Sequence, residues 1–77
     1  MSAIRLTTVA RATPHSPTAD RAEDTARTYG LKVRHDQRTD PYDRTATRHH
    51  IHISGERSAL EMIVPDLQKL GFRPVIH

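Results

Sequence analysis

The 77-residue chain carries twelve Lys+Arg against nine Asp+Glu, a formal charge of +3, and only 35% of it is hydrophobic. It has no cysteine, which excludes disulfides, thiolate zinc sites and thiol nucleophiles, and no apolar run approaches membrane length. A chain so short, with a mean hydropathy of -0.68, supports one small domain (residues 1–77) with a thin core; such domains often gain stability by pairing, so a homodimer is expected.

The segment SAIRLTTVA, residues 2–10, alternates Ile4 and Leu6 with Arg5 and Thr7 and is β-branched beyond. It predicts a first strand with a polar second face. RATPHSP is a loop that ends in Ser16-Pro17, an N-cap followed by proline at the first helical position. Asp20, Glu23 and Asp24 suit the positive end of the helix that follows. Ala19, Ala22, Ala26 and Tyr29 form its inward stripe, and Gly30 stops it.

LKVRHD, residues 31–36, alternates again and predicts a second strand. Residues 37–47, QRTDPYDRTAT, are polar, contain Pro41 and show no period, which predicts a long flexible hairpin loop. RHHIHIS is the third strand, with His49, Ile51 and Ile53 inward and Arg48, His50 and His52 outward. GERSALEMIVPDLQKLGF predicts the second helix, with Leu60, Ile63, Val64, Leu67 and Leu70 on one face and a Gly71-Phe72 stop. Pro65 should kink or divide that helix. RPVIH predicts a short closing strand at a sheet edge.

The order strand, helix, strand, strand, helix, strand predicts an α+β ferredoxin-like βαββαβ sandwich. Its four antiparallel strands would run 4-1-3-2, with both helices on one face. Period two then places Arg5, Lys32, Arg34, Arg48, His50 and His52 on the uncovered face, and the loop adds Arg38, Tyr42 and Arg44. Ten of the twelve cations are arginine, the side chain suited to bidentate phosphate contact. The expected function is nucleic-acid binding, DNA or RNA, by a small regulatory or accessory protein. Its binding residues would be Arg5, Lys32, Arg34, Arg38, Arg44, Arg48, His50 and His52.

Two other readings use the same face. An open sheet on a lean domain also suits a homodimer seam or the docking of an acidic protein partner. His50 and His52, two apart on a strand, point the same way, but two ligands make an incomplete metal site, and no third is in register. Catalysis has no motif behind it. The glycines are isolated, the serines lie in no nucleophile elbow, and no spacing singles out a histidine–carboxylate pair. The expectation is therefore a cytoplasmic binding protein that is not an enzyme and uses no cofactor.

Overall fold

The computed structural model describes residues 2–77 and contains β1 (Ser2–Arg11), α1 (Pro17–Thr28), β2 (Lys32–Thr39), β3 (Ala46–Gly55) and α2 (Arg57–Lys69). The strands form one antiparallel sheet in the order β1-β3-β2, so β3 is central. Both helices lie on one side, α1 over β2 and β3 and α2 over β1 and β3. Between them and the sheet sit Ile4, Leu6, Ile51 and Ile53 from the strands and Leu60, Ile63 and Leu67 from α2, all nearly or fully buried. This is an α+β domain with a three-stranded sheet and two helices.

Alanine decides how α1 packs. Ala19, Ala22 and Ala26 are 0% exposed, and their lack of side chain beyond Cβ lets the helix backbone approach the sheet closely. Ser16 caps this helix, its Oγ accepting from the Ala19 amide at 3.1 Å, and Pro17 follows at the first turn. At the other end Gly30 (φ 75°) allows a Schellman closure: the Gly30 amide donates to Arg27 and the Leu31 amide to Ala26. α2 closes in the same way. Gly71 has φ 98°, and the Phe72 amide donates to the Leu67 carbonyl, which brings Phe72 back against the core. α2 continues through Pro65 to Lys69, so that proline does not split it.

Two sequence expectations are corrected. Among the described residues the fourth strand does not form: the segment after α2 pairs with β1 through the isolated bridge Ile4–Ile76, closed by Ala3–His77 backbone bonds of 3.1 and 2.8 Å. Pro74 explains the brevity in part, since it has no amide hydrogen to give a ladder. The loop predicted over residues 37–47 is also shorter than expected. β2 continues to Thr39 and β3 begins at Ala46, leaving a turn of residues 40–45. That turn is built from two Asx motifs, in which Asp40 Oδ1 accepts from the Tyr42 amide at 2.7 Å and Asp43 Oδ1 from the Thr45 amide at 3.0 Å.

Candidate anion-binding face of the sheet

The register places the outward residues in rows across the three strands. Ala3, Ser54 and Lys32 form the first row, and Arg5, His52 and Arg34 the second. Thr7, His50 and Asp36 form the third, and Val9, Arg48 and Arg38 the fourth. Among the described residues no helix covers these side chains, because α1 and α2 pack on the opposite side. The second and third rows line an open concavity of about 450 Å³ bounded by Arg5, Thr7, Arg34, Asp36, His50 and His52. Directly opposed cross-strand side chains lie about 5 Å apart at Cβ, so Arg5 and Arg34 flank His52 within reach of a single anionic group.

The face is less uniformly cationic than alternation alone implies. Asp36, expected at a strand end, sits in mid-strand opposite His50, because β2 runs three residues further. Its carboxylate lies 3.5 Å from Arg34 Nε. Arg48 is half-buried and reaches Asp40 at 3.4 Å, while Asp40 is itself buried at the base of the turn. Arg48 Nε is buried without a hydrogen-bond partner among the described residues. That guanidinium therefore helps hold the hairpin's end as well as facing outward. Among the described residues no carboxylate lies within ion-pair distance of Arg5, Lys32, Arg38 or Arg44. Arg38 opposes Arg48 in the ladder, and Arg44 is exposed in the turn.

The histidines divide between the two sides of the sheet. His50 and His52 face outward and half-buried, with His50 Nδ1 3.3 Å from Thr7 Oγ1. Among the described residues no group of three or more His, Asp and Glu side chains is arranged to hold a metal ion. His35 and His49 point to the covered side, as alternation assigns them. His35 Nε2 lies 2.8 Å from His49 Nδ1, His35 Nδ1 lies 3.0 Å from Glu23 Oε1, and His49 Nε2 donates to the Pro14 carbonyl at 2.9 Å. Burial pushes the Glu23 carboxyl up, but hydrogen bonds from His35 and Arg27, with their charges, outweigh it and hold the group below the ordinary carboxylate range. Alternation along β2 and β3 assigns both imidazoles to the core side, but their carboxylate partner comes from α1, outside either strand's pattern. The signal was present in two inward histidines on paired strands and a glutamate beside the alanine stripe.

No protein-family model matches this sequence, and no curated protein is similar to it in sequence. Solved structures do share its backbone arrangement. It resembles prephenate dehydratase from Streptococcus mutans with a TM-score of 0.65 at 13% identity, over 97% of this chain and 40% of that one. It also resembles the C-terminal domain of an ABC transporter / ATP-binding protein from Enterococcus faecalis, with a TM-score of 0.50 at 15% identity, over 97% of this chain and 81% of that one. The present chain thus spans well under half of the prephenate dehydratase chain. At these identities the likeness is one of fold. Among the described residues no helix is long and apolar enough to cross a membrane.

Proposed function

We propose that the uncovered sheet face binds nucleic acid through its phosphates. The architecture reads as a ferredoxin-like sandwich whose last strand has shrunk to the Ile4–Ile76 bridge, and such a sandwich leaves one sheet face for a ligand. The observation that carries the reading is the row Arg5–His52–Arg34, which crosses all three strands beside an open concavity. Arg5 brings a guanidinium with no carboxylate at hand among the described residues, and Arg34 shares its own with an exposed Asp36 that an incoming phosphate can displace. His52 and His50 stand between strands, where an imidazole can donate to phosphate or stack on a base. Lys32 extends the row at one end of the sheet, and Arg38 and Arg44 extend it along the hairpin.

Affinity here comes mainly from counterion release, which is sequence-independent and steeply salt-dependent. Arg48 contributes less directly than alternation suggests, because Asp40 already neutralises it. The test is a titration with single-stranded and duplex DNA and RNA at low salt, on wild type and on the double variant Arg5→Glu/Arg34→Glu, with sedimentation on the same samples. Wild type should bind, and the double reversal should abolish binding on every sequence. Lack of binding at low salt contradicts it. A wild-type dimer that the reversal converts to monomer, without nucleic-acid binding, would assign the face to self-association instead.

A further inference from the structure

The covered side of the sheet holds a hydrogen-bonded chain that takes no part in the open face. It starts at Glu23 on α1, passes through His35 on β2 and His49 on β3, and ends at the Pro14 carbonyl in the loop before α1. His49 is 1% exposed and the His35 side chain 11%, so neither ring can trade these partners for water without opening the structure. The count of hydrogens along this chain is decisive. A carbonyl oxygen only accepts, so His49 Nε2 must carry a hydrogen. A second hydrogen lies between His49 Nδ1 and His35 Nε2, and a third between His35 Nδ1 and the Glu23 carboxylate. Two neutral imidazoles supply only two.

We propose that the folded protein keeps one additional proton in the Glu23–His35–His49 chain, as an imidazolium paired with the Glu23 carboxylate, and that this proton latches α1 and its preceding loop to the sheet. The proton resides on His35 with His49 neutral, or on His49 with His35 in its Nδ1–H form. Both arrangements complete all three bonds and differ only in which end of the 2.8 Å contact holds the hydrogen. The Arg27 guanidinium, with Nε 3.2 Å from the second Glu23 oxygen, favours a charged carboxylate there and so leaves the proton on imidazole. Arg27 on α1 takes the second Glu23 oxygen at 3.2 Å, and Thr8 and Gln37, which flank His49 in register, do not titrate. α2 meets the core through Leu60, Ile63 and Leu67, and the exposed His15–Asp20 pair lies in the loop and first turn beyond Pro14.

The consequence is a defined pH profile. In the unfolded chain these two histidines carry two protons well below about pH 6.5 and none well above it. The folded chain carries one in both ranges. Below that pH, unfolding takes up a proton, so stability rises with pH; above it, unfolding releases one, so stability falls as pH rises. The contribution of the chain peaks near about pH 6.5 and declines on either side, with a limit of about tenfold in the folding equilibrium constant per pH unit. Neutral rings merely packed together would instead give a plateau at high pH.

The experiment compares urea unfolding of wild type and Glu23→Gln between about pH 5.5 and about 8.5. A glutamine amide donates to His35 Nδ1 and completes the chain with two neutral rings, so it needs no additional proton. Wild type should lose stability above about pH 7, approaching tenfold per pH unit, while Glu23→Gln stays level there. Contributions from His15, His50, His52 and His77 are common to both proteins and cancel in the ratio. Identical profiles overturn the proposal. Imidazole nitrogen-15 spectra of wild type give a second readout that holds even where the variant does not fold. At about pH 7.5, a pH at which free imidazole is neutral, two rings should share three N–H groups. All six histidines with one protonated nitrogen each would overturn the proposal too.

Discussion

Replacing Asp36 with Asn should strengthen nucleic-acid binding. Asp36 sits in the middle of β2, opposite His50, with its carboxylate 3.5 Å from Arg34 Nε. Both side chains are well exposed, 49% and 75%, so this ion pair adds little to stability, about 0–1 kcal/mol before screening. Asparagine keeps the size and hydrogen-bonding shape, and the fold should be unchanged. Toward a phosphate held by Arg34 the carboxylate acts as a like charge at roughly 6 Å, a repulsion of about 0.7 kcal/mol at the dielectric constant of water. Removing it should raise affinity about two- to threefold at low salt, with the gain fading as the Debye length shortens to about 8 Å. Fluorescence anisotropy with a labelled oligonucleotide at two salt concentrations measures this, and a thermal melt confirms that the variant is folded. Unchanged or weaker binding by a folded Asp36→Asn protein would show that no phosphate approaches Arg34.

Two further substitutions test the scaffold that presents the face. A Cβ added at Gly55 would lie 2.4 Å from Leu31 Cδ2, and Leu31 is buried, so Gly55→Ala should lower stability by about 1–3 kcal/mol in urea unfolding; a neutral result would mean that Leu31 moves aside freely. Ser16→Ala removes the Oγ that accepts from the Ala19 amide and should cost about 1 kcal/mol. Its effect should appear as faster amide exchange at the start of α1, with the β3 amides unaffected by comparison.

What could be read from the sequence follows where a core existed to impose a pattern. Ile4 and Leu6 against Arg5 and Thr7, and Ile51 and Ile53 against His50 and His52, alternate because one face of each strand is packed under a helix. The same physics hides the far half of β2. Gln37, Arg38 and Thr39 are all exposed, at the distal end of an edge strand. With neither side buried, nothing selects an apolar residue there, and a polar strand looks like a loop. Asp36, a strand end by pattern alone, therefore lies in mid-strand beside Arg34. The closing strand failed for a different reason. Val75 and Ile76 look like a strand, but Pro74 cannot donate and Val75 stays 60% exposed, so pairing stops after one bridge. The Glu23–His35–His49 chain depends on three elements meeting, and only the topology brings them together.

Salt dependence tests the central claim most directly. Each phosphate contact at a cation contributes about −0.9 for duplex, or about −0.7 for a single strand, to the slope of log affinity against log salt. Wild type should show a clearly negative slope and Arg5→Ala a shallower one, by about one contact. A wild-type slope near zero, or one that Arg5→Ala leaves untouched, would contradict a phosphate site on this face.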